Sequence, residues 1–384
     1  MKTIGLAITY KGTNYGALLQ AYATQYVIES MGFNTEIINY KEGKDHRFRP
    51  SIEAISYLSI NKIKKLFSPH KTNNIVLDQI HKENKDLRVI AANNFRAERL
   101  KNIVNVDGFK NLQNQSKKYE AVIVGSDQLW EPNVSFSYFY SLMFAPKGVK
   151  RISYATSMGV SSYPWYVKRQ AAIFLNRIDY LSIREEQGRK IIKSICGREA
   201  TVVLDPTYLI SKDEWESLIP EYKVVDSGYV LCFFLGSNMP MKEKAKEYAR
   251  QHELRVVSIL SNEVSENDAE FADEVLIGRS PEDFINLIRG ANCVFTDSFH
   301  CFTFCIINEI QVFVTYRVRQ GLASRNSRID NIVDKFGVQD RLVKDPKEFV
   351  ITDDEIDYMK VNEKVNRYIL ESKRFLKNAL GYND

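Results

Sequence analysis

The stretch TIGLAITYKGTNYGALLQAYATQYVIESMGFNTEIINY, residues 3–40, decides the fold. It opens with a short apolar run, TIGLAIT, that passes into a Gly-Thr-Asn turn. YGALLQAYATQYVIESMG follows, a helix ending at Gly32, the residue type most at ease just past a helix end. NTEIINY is then a second strand. Strand, helix and strand in this order form a βαβ unit, which means parallel strands and a right-handed crossover.

The same alternation continues along most of the chain. Residues 43–118 interrupt it: they are polar, basic and rich in helix formers, and are expected to be a helical insertion. YEAVIVGSDQLW (119–130) restores the sheet, and KRISYATSMG (150–159), DYLSIREEQGRKII (179–192) and TVVLDPTYLI (201–210) extend it. A second series starts at GYVLCFFLG (228–236) and runs through RVVSIL, DEVLIG, CVFTDS and QVFVTY, with helical stretches between. A polar connector at 212–228 separates the two series. The expected fold is therefore α/β, with two Rossmann-like domains facing a cleft. They would span 1–220 and 221–350, followed by an amphipathic helical segment at 351–384.

Composition narrows the function. Among 384 residues, 53 basic and 48 acidic side chains leave a net charge of +5, too mild to argue for a nucleic-acid partner. That balance suits an enzyme handling small anions. No stretch reaches the ~18 apolar residues that span a bilayer, and the N-terminus reads as the first strand of a cytoplasmic fold rather than a signal peptide. Cys196, Cys232, Cys293, Cys301 and Cys305 form no CxxC pair and mostly sit in apolar runs, as reduced core residues do. No zinc-ligand spacing appears, so no metal is expected.

Five stretches have the residue types that chemistry needs. In CVFTDSFHCFTFCII (293–307) a buried strand meets a buried helix, with His300 at the seam. Asp297 or Ser298 caps the helix, whose first amides attract phosphate or carboxylate beside Ser298, Phe299 and His300. A capped helix with a hydrogen-bonded histidine is the plainer alternative. GTNYGALLQAYA (12–23) is a strand-to-helix turn that lacks the nucleotide-binding glycine spacing. It is either an ordinary turn or a ligand-facing one, with Asn14, Tyr15, Gly16 and Gln20 toward the cleft. VIVGSDQLWEP (122–132) places Ser126, Asp127, Gln128 and Trp130 directly after a strand, a set suited to hydrogen-bonding and stacking a sugar. In LSIREEQGRK (181–190), Arg184 is placed to clamp an anion or to pair with Glu185 or Glu186. Arginines crowd YRVRQGLASRNSRI (316–329).

Six of these pieces, NYGALLQAYA, VGSDQLW, SYATSMG, SIREEQG, DPTYL and TDSFHCFTFCIIN, occur in an order that resembles the polysaccharide pyruvyl transferase family. Cys301 stands where that family usually has glycine after the histidine, and Arg317 and Arg319 match its basic residue some 20 positions on. The resemblance implies a glycosyltransferase-B-like pair of domains with no cofactor. It also implies transfer of the pyruvyl carbons of phosphoenolpyruvate onto two hydroxyls of one sugar, giving a cyclic ketal and phosphate. The acceptor would be a cell-surface saccharide or its lipid-linked precursor. Arg184, Ser298, Phe299, His300, Arg317 and Arg319 would bind the donor, with His300 as acid and Asp127 as base. Asn14, Tyr15, Gly16, Gln20, Ser126, Asp127, Gln128 and Trp130 would face the acceptor. A nucleotide-sugar glycosyltransferase of the same architecture is the alternative, and a non-catalytic carbohydrate or anion binder is a third reading. AISYLSINKIKKLF (54–67) has the pattern of a basic amphipathic helix that lies on the inner face of a membrane, or simply packs on its domain.

Overall fold

The structure is a computed structural model that describes residues 2–41, 75–132, 137–261, 271–317 and 327–382. The basic stretch at 54–67 and Arg319 lie outside the described residues.

Strand β1 (Thr3–Ala7) and helix α1 (Tyr15–Ser30) lead to β2 (Asn34–Lys41), which pairs parallel with β1. After α2 (Ile75–Arg99) comes β3 (Ile103–Asp107), so residues 43–118 contribute an edge strand to the sheet as well as helices. The stretch continues into the short helix α3 (Phe109–Ser116). Then follow β4 (Ala121–Val124), β5 (Lys150–Ser153), α4 (Trp165–Leu175), β6 (Tyr180–Ile183), α5 (Glu186–Cys196) and β7 (Thr201–Val202). The first sheet is ordered β3-β2-β1-β4-β5-β6-β7, and its strand pairs are parallel.

Helix α6 (Lys212–Leu218), closed at its start by a Ser211–Glu214 capping box, leads toward the second sheet. That sheet contains β8 (Tyr229–Phe233), β9 (Arg255–Ile259), β10 (Glu274–Leu276), β11 (Cys293–Thr296), β12 (Val312–Thr315) and β13 (Leu342–Val343), ordered β10-β9-β8-β11-β12-β13. Its helices are α7 (Met239–Gln251), α8 (Pro281–Arg289), α9 (Phe299–Asn308) and α10 (Ser327–Phe336). The last strand of the first sheet ends at Val202 and the first strand of the second begins at Tyr229. The long helix α11 (Tyr358–Leu380) returns to the first unit, where Ser372 Oγ accepts from the Leu204 amide at 2.9 Å.

Continuous apolar strands such as AVIV in β4 and CVFT in β11 are buried on both faces, as parallel strands must be when helices cover both sides. All five cysteines are free thiols, and Cys232, Cys293, Cys301 and Cys305 are in the core. Among the described residues no helix is long and apolar enough to cross a membrane.

The topology fixes where a ligand can bind. Strand order reverses between β1 and β4 in one sheet and between β8 and β11 in the other. Connections leave in opposite directions there, opening a crevice beyond the carboxyl ends of the strands. Helix α2 straps the units together: Arg88 donates to Thr13 O at 2.8 Å and to Leu260 O at 3.0 Å, and its guanidinium lies 4.2 Å from the Tyr15 ring. Asn84 accepts from the Gly278 amide at 2.9 Å.

Candidate functional site

The two crevices meet. The segment after β4 supplies Ser126, Asp127 and Gln128, and the one after β6 supplies Arg184 and Glu185. Asp205 caps the 3₁₀ turn Pro206–Leu209. Ser298 and the first turn of α9 supply the opposing wall, with Phe299 and His300, and Arg328 comes from the start of α10.

Asp205 is the hub. Its side chain is 0% exposed, and its Oδ2 lies 2.7 Å from Arg184 Nη1 and accepts from Ser126 Oγ at 2.7 Å. Its Oδ1 accepts from the amide and hydroxyl of Thr207 at 3.2 and 2.9 Å. His300 Nε2, from the other domain, stands 3.6 Å from Asp205 Oδ2, just beyond hydrogen-bonding reach. Burial alone would raise the Asp205 pKa, but His300, Arg184 and Ser126 together outweigh it and hold the carboxyl well below the usual range.

Arg184 also faces a second carboxylate, with Nη2 3.6 Å from Asp127 Oδ1, and its guanidinium lies 4.4 Å from the centre of the Phe299 ring. Burial disfavours its charge, yet Asp205, Asp127 and Glu185 reverse that and raise its pKa. Asp127, whose side chain is 25% exposed, sits at φ 71° in the left-handed region. Burial would raise its pKa, but Arg184, His300 and Arg328 outweigh burial and lower it.

Arg328 is in the opposite condition. Burial, then the neighbouring Arg184, depress its pKa to about 9, against the pull of Asp127 and Glu185. With the Gln128 amide turned so that its oxygen faces Arg328, that oxygen accepts from Nη2 and Nε at 3.1 and 3.2 Å. The Phe299 ring lies 5.7 Å from the Arg328 guanidinium. Phe299 thus has a guanidinium on each of two approaches.

The remaining residues singled out from the sequence fall into separate places. Gly16 touches the site: a Cβ there would come within 2.1 Å of His300 Nδ1. Asn14 caps α1, accepting from Ala17 N at 3.1 Å, and is exposed at the rim. Ser298 caps α9, accepting from Cys301 N at 3.4 Å. Arg317, just after β12, is near enough to act electrostatically on Arg328. Three others are structural in this arrangement. Gln20 is fully buried, its amide nitrogen donating to Thr9 O and Ala17 O and its oxygen accepting from the Ser126 amide. Tyr15 stacks on Phe284 at 4.7 Å and donates to Arg279 O, tying the two domains. Trp130 is fully buried against Phe174 and donates to Tyr140 O, so its ring face is not open to a sugar.

Asp205 and Arg328 were not singled out individually from sequence, although Arg328 belongs to the arginine cluster at 316–329. DPTYL is one of the six pieces that resemble the family, but no role was assigned to its aspartate; an acid that caps a turn beyond a buried strand is a signal of this kind. Arg328 stands 28 positions after His300, beyond the spacing that drew notice to Arg317 and Arg319.

Fold and site together define a two-domain α/β protein of glycosyltransferase-B architecture whose interdomain cleft is lined by paired arginines, carboxylates and a histidine. The UDP-GlcNAc 2-epimerase of Methanocaldococcus jannaschii has a similar fold, at TM-score 0.50 and 10% identity over 95% of this chain and 91% of that one. The Neisseria meningitidis UDP-GlcNAc 2-epimerase, bound to UDP-GlcNAc, aligns over 100% of both chains at TM-score 0.49 and 11% identity. The ADP-heptose lipopolysaccharide heptosyltransferase II of E. coli aligns over 97% and 100% at TM-score 0.34 and 12% identity. No curated protein sequence matches the chain. The sequence pattern of the polysaccharide pyruvyl transferase family matches residues 14–317, and the chain belongs to that family.

Proposed function

We propose that this protein transfers the pyruvyl carbons of phosphoenolpyruvate onto two hydroxyls of a saccharide, forming a cyclic ketal and releasing phosphate. Family membership supports a transferase acting in polysaccharide synthesis. The observation that carries the donor assignment is a set of buried donors without partners at one place. Arg184 Nε and Nη2 and His300 Nε2 are buried donors with no hydrogen-bond partner, and Arg328 beside them is held where its charge is disfavoured. Buried donors of this kind are normally paired, so an incoming anion gains the bonds they lack. A phosphate and a carboxylate on one small carbon frame offer acceptors to both guanidinium groups.

In the reaction, His300 gives a proton to the methylene carbon, and positive charge builds at the central carbon. A sugar hydroxyl attacks there as Asp127 takes its proton. The carbon–oxygen bond to phosphate breaks, and the second hydroxyl closes the ring. Of the two hydroxyl protons, one ends on the new methyl group and the other on phosphate. Histidine suits the first step because its ordinary pKa lies near neutrality. Asp127, ionised and a quarter exposed, suits the second. The saccharide is placed on the Ser126–Gln128 side of the cleft, with Asn14 at its rim. The lipid-linked form of the acceptor and a site of action at the cytoplasmic face of a membrane belong to this same proposal.

The test is phosphate release from phosphoenolpyruvate labelled with ¹³C at the central carbon, with a panel of saccharide acceptors. Phosphate release matched by a new quaternary ketal carbon signal is expected, with a large loss of kcat in His300→Gln. Consumption of a UDP- or GDP-sugar, with phosphoenolpyruvate untouched by every acceptor, would replace this reading with that of a glycosyltransferase.

A further inference from the structure

The His300 imidazole is gripped from two sides, and the two grips have opposite electrostatic signs. Its Nε2 edge faces the Asp205 carboxylate at 3.6 Å across the domain boundary. Its Nδ1 edge lies against the first turn of α1, so closely that any side chain at Gly16 would overlap it. A helix start presents unpaired amide N–H groups and the positive end of the dipole. A protonated nitrogen is disfavoured there and a lone pair is favoured. A carboxylate has the reverse preference.

We infer that Asp205 is the positioning residue of this site, fixing the His300 proton on Nε2, close to Arg184. Asp205 is built for that task. Thr207 holds Oδ1 with two hydrogen bonds, and Ser126 and Arg184 hold Oδ2, so the carboxylate cannot rotate away. It is fully buried, which removes competition from water. The 3.6 Å separation leaves Nε2 without a hydrogen-bond partner of its own. Its proton is therefore aligned but not spent. Phe299 fixes the ring plane from the side, edge to face at a centroid distance of 5.2 Å. The inference deepens the pyruvyl-transfer reading by naming the group behind its acid, but the placement of the proton stands apart from any reaction.

Two arms of one experiment separate the two claims. In the first, protein labelled with ¹⁵N-histidine is studied by NMR, with His300→Gln identifying the His300 signals among the five histidines. At a pH where the ring is neutral, the wild type is expected to show His300 protonated at Nε2 with a bare Nδ1, the imidazolium being the form that gives up a proton in the reaction, and Asp205→Asn is expected to give a mixture of tautomers while the other four histidines stay unchanged. A wild-type His300 protonated at Nδ1 overturns the inference even if Asp205→Asn does not fold, and so does an Asp205→Asn spectrum identical to wild type. In the second arm, Asp205→Asn is expected to lower kcat at least tenfold, toward the ~10⁴-fold that a wrong tautomer costs the serine-protease triad, with a smaller change in donor KM. The double variant with His300→Gln should be no slower than His300→Gln alone. Additive losses overturn the inference. Absence of pyruvyl transfer in the wild type would count against the proposed function only, and the first arm would still decide the role of Asp205.

Discussion

Arg328→Gln should make the unliganded protein more stable while abolishing its response to the donor. Arg328 is 9% exposed and its pKa has fallen from 12.5 to about 9, burial first and Arg184 second. That gap corresponds to about 5 kcal/mol of unfavourable environment for the charged form. Losing the two hydrogen bonds to Gln128 offsets about 2–4 kcal/mol of it, leaving a net gain of about 1–3 kcal/mol. At ~2.1 cal/mol/K per residue, 384 residues convert this to a rise in Tm of about 1–4 °C. The sign with pH is fixed as well. A base whose folded pKa is lowered carries its penalty in full below about pH 9 and sheds it as pH climbs toward 12.5. The advantage of the variant over wild type should therefore shrink between pH 8 and pH 10. Calorimetric melting of both proteins at the two pH values, with and without phosphoenolpyruvate, tests this. A fall of several degrees in the variant at pH 8 would show that the charge is compensated in place. An undiminished response to the donor would place Arg328 outside the donor site.

Three other perturbations have defined outcomes. Arg184→Ala should have the opposite sign to Arg328→Gln, costing about 3–5 kcal/mol in denaturant unfolding, because it leaves the buried Asp205 carboxylate without its 2.7 Å partner; an unchanged unfolding midpoint would refute the hub. Asp205 and Asp127 have folded pKa values below their ordinary ones, so their contribution is complete above about pH 4 and is lost as pH falls through the lowered values. Asp205→Asn should thus flatten the acid limb of stability measured by urea midpoints, and an unaltered acid limb would count against the pairing. Gly16→Ala forces a Cβ to within 2.1 Å of His300 Nδ1 and should cost about 1–3 kcal/mol. In a His300→Gly background, which also removes the His300 Cβ that would lie 2.8 Å away, the same change should cost almost nothing by thermal melting, and an equal cost in both backgrounds would deny the contact.

Much of the architecture could be read from residues 3–40 and the alternation that follows, because buried parallel strands are continuous apolar runs and their helices end in recognisable caps. Strand β3 was not legible: IVNVD lies at an edge, is mostly exposed, and offers no uninterrupted apolar run. The site was legible where chemistry follows directly on a strand end, as at Asp127, Arg184 and His300. It was not legible where partners meet across the fold. Gly16 and His300 are 284 positions apart, and only packing shows that one makes room for the other. Trp130 shows the converse error. An aromatic after a polar turn suits a sugar, but the chain turns this ring into the core against Phe174. Asp205 was not legible because its partners, Ser126, Arg184 and His300, come from distant parts of the chain.

Thermal melting with phosphoenolpyruvate, phosphate, pyruvate, UDP and GDP, on wild type and His300→Ala, tests the central claim most directly. Ligand that binds only the native state at about 100 times its Kd adds ~2.7 kcal/mol, or ~3 °C by the same entropy per residue. Phosphoenolpyruvate should produce that rise in wild type and much less in His300→Ala, with UDP and GDP inert. A rise with UDP or GDP and none with phosphoenolpyruvate would contradict the account and assign the cleft to a nucleotide sugar.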